Sequence, residues 1–195
     1  MYSEKSPIHR CPWPSNDPLM IHYHDHEWGV PVHDDKEMFG FIILDGFQAG
    51  LSWKTILHKR DNFRKAFDDF DFTKIACYNS KKVESLLQNV GIIRNRLKIE
   101  STIRNAQATI DLIEKIGGLS EYIWSFTEGK TIINHWTELG QVPPSSPVSD
   151  NMSRELKKKG FNFVGSTICY AFMQAAGLVN DHLVSCFRYK ELNNF

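Results

Sequence analysis

Between Glu37 and Gln48 the chain reads EMFGFIILDGFQ, which places apolar side chains on every face of a helix. A helix that is apolar all round has no side to give to water, so it must lie at the centre of the fold with the rest of the chain packed about it. Asp45 stands inside this run. A carboxylate in such surroundings is costly unless it is hydrogen-bonded or meets a cation. The helix at the centre of the fold therefore carries an ionisable group in need of a partner.

Helical spacing of apolar residues continues over about 52–68, 72–77 and 80–89, then over a long stretch from about 94 to 116 that stops at Gly117 and Gly118. A short aromatic helix is predicted over Leu119 to Phe126, and a second buried helix over Val164 to Leu178. Gly129, Gly140, Pro143, Pro144 and Pro147 predict a mostly looped segment from Glu128 to Val148, after which Ser149 or Asp150 can cap a helix to about Lys159. Alternating strand patterns are scarce, and there is no internal repeat, low-complexity tract or long linker. The expectation is one all-α domain over 1–195, with a flexible N-terminal extension at 1–9 and a C-terminal tail at 187–195. A chain of 195 residues is long enough to bury a proper core.

The 23 basic and 23 acidic residues cancel, so no global field draws the protein onto nucleic acid or anionic lipid, and such a partner must be held by a local patch. No apolar run approaches the roughly 20 residues that span a bilayer, and the polar start lacks the apolar centre of a secretory signal. A cytoplasmic monomer with reduced or metal-bound cysteines is the expectation; Cys77 and Cys169, set in apolar helical patterns, read as core. Two basic segments stand out, Arg94 to Lys98 and Arg154 to Lys159, each either a solvated helix face or a binding patch. The first follows Leu86-Leu-Gln-Asn-Val-Gly91-Ile-Ile, two amphipathic helices joined by a short glycine turn. This is the layout of a helix-hairpin-helix, in which backbone N–H groups at the start of the second helix approach a DNA phosphate. A plain turn is the other reading.

Cys11 and His24 near one end, with His182 and Cys186 near the other, make up two thiols and two imidazoles, the donor set of a closed tetrahedral zinc site. Such a site would tie the termini together and leave no position open for substrate. Two buried thiols and two ordinary histidines are the competing reading. His22 and His26, flanking His24, read as surface histidines.

Several stretches, taken in order, resemble one family: Arg10-Cys-Pro-Trp13, Asp17-Pro-Leu, Tyr23-His-Asp-His-Glu-Trp-Gly-Val-Pro31, Gln48-Ala-Gly-Leu-Ser-Trp53, Gly91-Ile-Ile-Arg94, Leu156-Lys-Lys-Lys-Gly-Phe161, Phe163-Val-Gly165, Thr167-Ile-Cys-Tyr170 and Gly177-Leu-Val-Asn-Asp-His182. From about Arg10 to Cys186 the chain is similar to the type I 3-methyladenine DNA glycosylases, the constitutive alkylation-repair enzymes of bacteria. The resemblance implies an α-helical fold of the helix-hairpin-helix glycosylase superfamily, with structural zinc on Cys11, His24, His182 and Cys186. It implies double-stranded DNA containing alkylated purines as partner, hydrolytic release of 3-methyladenine as activity, and no lyase lysine. By the same resemblance Asp45 and Tyr23 make polar contacts with the flipped base, Trp53 stacks on it and Trp13 and Trp28 lie close by. Leu51 is the wedge that fills the gap left in the duplex, and Gly91, Arg94 and Lys98 meet the DNA backbone. For Leu51 the alternative is a first core residue of the next helix.

Flat electron-rich rings suit an N3-methylated purine because the methyl group leaves it cationic, and cation-π attraction in a desolvated site reaches about 2 kcal/mol. Three positions depart from the family pattern. Asp45 stands where related members have Glu, which withdraws the carboxylate by about 1.5 Å, one carbon-carbon bond. Either the pocket closes to compensate, aided by Phe47, which is bulkier than the family's usual polar residue, or a water bridges the gap. Met20 stands where relatives can have Tyr. The competing classes are a protein that binds alkylated bases without cleaving, a glycosylase of shifted specificity toward 3-methylguanine or another small alkyl purine, and a zinc-dependent hydrolase.

Overall fold

The computed structural model describes residues 9 to 193, so all but His9 of the expected N-terminal extension lies outside the described residues. At the centre is α2 (Asp35–Gln48), which starts where the Asp34 side chain accepts the Glu37 backbone N–H at 2.9 Å. Its Met38, Phe39, Ile42, Ile43, Leu44 and Phe47 are all buried in the main core, as a helix without a polar face requires. Preceding it is α1 (Pro18–His26); α3 (Trp53–Leu57), α4 (Arg60–Ala66), α5 (Phe72–Ile75) and α6 (Ser80–Gln88) follow. The long α7 (Arg96–Ile116), α8 (Leu119–Ser125), α9 (Pro147–Lys158), α10 (Ser166–Ala175) and α11 (Phe187–Leu192) complete the helices among the described residues. Helices α3, α7, α8 and α10 all pack directly on α2. None of the described helices is long and apolar enough to cross a membrane.

The all-α expectation holds, with one addition. Strands β1 (Ile132–Ile133) and β2 (Val179–Asn180) pair in parallel, Ile132 opposite Val179, and staple the loop after α8 to the stretch after α10. Two residues are too few for an alternating pattern to register in the sequence. Other differences have equally local causes. The helix expected from Ser149 or Asp150 begins at Pro147, because proline is well placed at a first helical position. Its cap is Ser146, whose hydroxyl accepts the Ser149 N–H while the Ser149 hydroxyl accepts the Ser146 N–H. The stretch 52–68 is broken into α3 and α4 at His58 and Lys59. Cys77, expected in the core, is exposed beyond the end of α5, whereas Cys169 is buried. In place of a C-terminal tail from 187, α11 packs its Tyr189 and Leu192 inward.

The turn that closes α10 determines how the two ends of the chain meet. Gly177 has φ +78°, and a β-carbon there would lie 2.5 Å from Val30 C and Pro31 N, so both conformation and space demand glycine. The segment after α1 can then run against the end of α10, with Gly29 N–H donating to Gln174 O (3.0 Å) and Val32 N–H to Ala176 O (3.1 Å). Trp28 is thereby set against the residues that follow β2.

Candidate functional site

Cys11, His24, His182 and Cys186 are all buried, and one ligand atom from each falls within 4.8 Å of all the others. Cys186 Sγ lies 3.5 Å from His24 Nε2 and 3.5 Å from His182 Nδ1, and Cys11 Sγ lies 3.7 Å from His182 Nδ1. A tetrahedral metal with thiolate bonds of about 2.3 Å and imidazole bonds of about 2.0 Å has edges of about 3.3–3.8 Å between its ligands, so the set fits. Each imidazole turns one nitrogen to the cluster and the other to a fixed acceptor. His24 Nδ1 is 2.7 Å from Asp25 Oδ1, and His182 Nε2 is 3.1 Å from the Trp28 carbonyl. This outer layer sets tautomer and ring orientation, as around bound metals generally. Asp25 is itself gripped by Arg10 at 2.8 Å. Burial works against its ionisation, but the hydrogen bonds from Arg10 and His24 outweigh it and hold the carboxyl below its ordinary pKa. The neighbouring Cys11 sulfur and the two imidazoles lower the pKa of Cys186, while the neighbouring Cys186 sulfur and burial raise that of Cys11.

Beside this cluster lies a cavity of about 240 Å³. Cys11, at its rim, belongs to both. Trp13 and Trp28 pack on the metal-site histidines, with ring centroids 5.3 Å from Trp13 to His24 and 4.6 Å from Trp28 to His182, and on each other at 5.1 Å. Tyr23 and Trp53, 5.1 Å apart, form the adjoining wall, and Asp45 reaches the cavity from α2. The five residues predicted to contact a base are thus brought together. The volume is below the range of about 300–1,000 Å³ usual for drug-sized ligands, which suits one heterocycle.

Among the described residues, four buried side-chain nitrogen or oxygen atoms lack a hydrogen-bond partner: Trp13 Nε1, Asp45 Oδ2, Trp53 Nε1 and Arg188 Nε. The first three belong to residues lining this cavity. Buried polar groups are rarely left unpaired, since each costs about 1–3 kcal/mol, so three at one cavity mark where a ligand's polar edge belongs. Burial drives the Asp45 pKa well above the carboxylate range, and burial followed by the charges of Asp45 and Glu27 raises that of Tyr23. Among the described residues no cation is paired with Asp45.

Asp181, on the far side of the cavity, was not singled out in the sequence. It is buried and accepts four hydrogen bonds, at 2.6 Å from Asn134, 2.8 Å from Trp136 Nε1, 2.8 Å from Tyr170 OH and 2.8 Å from Gln174. It fastens the segment after β1 to α10. Gln48, Leu139 and Val142 are among the other wall residues that sequence reasoning missed. Asp25 was missed as well, although its place next to His24 was the available signal.

Phe47 does not close the cavity. It points away from Asp45 and packs on Phe63 and Phe67, with centroids 4.7 and 5.9 Å away, because side chains two apart on a helix face in different directions. Met20 lies behind the aromatic wall with Tyr23 and Leu57. The predicted wedge, Leu51, sits on a tight turn directly after Gln48 and is 41% exposed, which rules out a core role. Gly91 and Arg94 lie in the turn between α6 and α7, with Arg94 exposed. Lys98 corrects its expectation. Its ammonium is turned inward and donates to Phe47 O (2.8 Å) and Ala49 O (2.6 Å), so it offers no charge to a phosphate. The carbonyls at the end of α2 have no helical N–H partners, and a buried lysine satisfies them.

Fold and cavity together are those of a helical DNA glycosylase. A crystal structure of 3-methyladenine DNA glycosylase I superposes with a TM-score of 0.90 at 50% identity, covering 92% of this chain and 98% of that one. The 3-methyladenine DNA glycosylase I of Staphylococcus aureus superposes with a TM-score of 0.89 at 32% identity, over 91% of this chain and 95% of that one. In sequence, the DNA-3-methyladenine glycosylase 1 of Escherichia coli (strain K12) is 49% identical over 182 residues, 93% of this chain and 97% of its own. The profile of the Methyladenine glycosylase family matches residues 13–189, and the chain belongs to that family.

Two expectations arise from this geometry. Replacing His24 or Cys186 by Ala removes about one metal per chain by elemental analysis and costs about 4 kcal/mol or more of stability; a variant that melts like the wild type would leave the cluster without its assigned role. Asp45→Asn raises the melting temperature at neutral pH. The folded-state pKa of Asp45 is raised, so between its unfolded and folded values the native carboxyl is held neutral at a cost that the unfolded chain does not bear. The stabilisation by Asn therefore shrinks as pH falls through the ordinary carboxylate range, and a pH-independent difference in melting temperature would contradict the account.

Proposed function

We propose that the chain is a monofunctional glycosylase that takes 3-methyladenine out of alkylated double-stranded DNA, holding the flipped base among Trp13, Tyr23, Trp28, Asp45 and Trp53. The observation that carries this reading is the set of three unpartnered polar atoms in residues that line one small aromatic cavity, one of them a carboxyl oxygen. Methylation at N3 makes the purine in DNA cationic, so it brings both the hydrogen-bond donors and the charge that Asp45 lacks. Unmodified adenine would bring no charge, so it would leave the Asp45 carboxyl neutral and gain no ion pair with it. The aromatic walls add cation-π attraction in the same sense.

Cleavage moves the positive charge from the purine to the sugar. The C1′–N9 bond breaks with its electron pair going to the base, which leaves neutral without a proton from the enzyme, and water then attacks the oxocarbenium-like carbon. The protein's part is to extract the base from the stack, orient it and exclude solvent. In this reading Leu51 enters the duplex where the nucleotide has left, offsetting the lost stacking, and the turn carrying Gly91 and Arg94 rests on the phosphate backbone. The metal we assign to the Cys/His set is zinc, whose charge two thiolates balance and whose shell the four ligands fill. Bound there it supplies rigidity: the residues holding it also hold Trp13 and Trp28 at the cavity.

Chromatography of the bases released from methylated duplex DNA tests the proposal. The wild type is expected to release 3-methyladenine. Asp45→Asn is expected to slow single-turnover release by about 10- to 100-fold, the worth of one hydrogen bond to a charged group, with duplex affinity little changed. No release by a folded, metal-loaded protein would favour a binding protein, and an equal loss of release and of duplex affinity would remove Asp45 from base recognition.

A further inference from the structure

Lys98 is 7% exposed, unusual for a lysine, and its ammonium donates to backbone carbonyls and not to a carboxylate. Both carbonyls close α2, where the helix dipole is negative. The second belongs to Ala49, which with Gly50 forms the corner of the turn that presents Leu51. Ala49 at φ −47°, ψ 115° and Gly50 at φ +79° follow the type II pattern, closed by the Leu51 N–H donating to Gln48 O at 2.6 Å. A β-carbon on Gly50 would meet nothing within 4 Å, so the tip of the turn has no packing to hold it. Its attitude rests on its own hydrogen bond and on Lys98.

Lys98 also lies in the first turn of α7, immediately after the hairpin turn. Asn95, the cap of α7, accepts the Lys98 backbone N–H at 3.1 Å. On the other side of that turn the Lys59 ammonium donates to Val90 O (3.2 Å) and Gly91 O (3.3 Å). Hairpin and wedge loop, about 40 residues apart in sequence, are thus parts of one frame joined through lysine-to-carbonyl contacts.

We propose that Lys98 is a positioning residue that transmits the seating of the hairpin on the DNA backbone to the Leu51 turn, fixing the angle at which the wedge enters. The inference rests on the reading of Leu51 as the wedge. A hydrophobic side chain at 98 would fill the same space but leave Phe47 O and Ala49 O without their donor, freeing the turn while α2 and the cavity remain.

The test compares Lys98→Met, Lys98→Arg, Leu51→Ala and the Lys98→Met/Leu51→Ala double variant. Two readouts are taken: affinity for free 3-methyladenine by tryptophan fluorescence, and single-turnover release of 3-methyladenine from methylated duplex. Lys98→Met is expected to bind the free base as the wild type does and to release it from duplex about tenfold more slowly, with Lys98→Arg recovering most of the loss; the double variant is expected to be no slower than the slower single variant, since both changes act on one step. Should Lys98→Met not fold, Lys98→Gln, which keeps a donor without the charge, is expected to give an intermediate rate on duplex. Additive losses, unimpaired release by the Lys98 variants, or a parallel loss of free-base affinity would overturn the coupling. Release at the wild-type rate by Leu51→Ala would instead overturn the wedge, and the inference with it.

Discussion

One oxygen of the Asp45 carboxyl, carried by a helix that is apolar all round, has no hydrogen-bond partner among the described residues. Most of the site can be understood from that fact. The helix must be central, so the carboxyl is carried into the core; burial there raises its pKa, with no ammonium or guanidinium among the described residues paired with it; and the protein bears the cost of an unpaired polar group where a folded chain alone would not tolerate one. In the proposed function, stability is given up at the position where the bound base restores it, the pattern expected where activity needs a destabilised site.

The rest of the architecture holds walls around that carboxyl. The Cys/His cluster draws its ligands from both ends of the chain and braces two of these walls, since Trp13 and Trp28 pack directly on its histidines. On the opposite side Asp181 draws four donors to itself and fastens α10 to the segment after β1. The two carboxylates contrast in a useful way. Asp181 is saturated by the protein and serves as a structural hub, whereas Asp45 has an open valence for a ligand.

The sequence made the larger features legible for definite reasons. The unbroken apolar run located α2, and the glycines at 117 and 118 located the end of α7, because both signals are local. The metal set and the aromatic cavity became legible through motif order and not through spacing, for Cys11 and His24 have no visible relation to His182 and Cys186 until the chain folds. Side-chain direction was out of reach. Lys98 lies among basic residues and reads as a phosphate contact, yet the open carbonyls at the end of α2 turn it inward, and those carbonyls exist only in the folded protein. Phe47 was read as a pocket residue for the same reason: it is two positions from Asp45 in sequence and faces elsewhere on the helix.

The central claim is that the methylated base completes the unpaired Asp45 carboxyl, and carbon-13 NMR of the aspartate carboxyls, titrated with pH in the free protein and with 3-methyladenine bound as a donor of N–H groups, tests it most directly. The account predicts an Asp45 resonance that titrates above the ordinary carboxylate range in the free protein and moves to lower pH when the base binds. An Asp45 titration at the same pH with and without the base would contradict it.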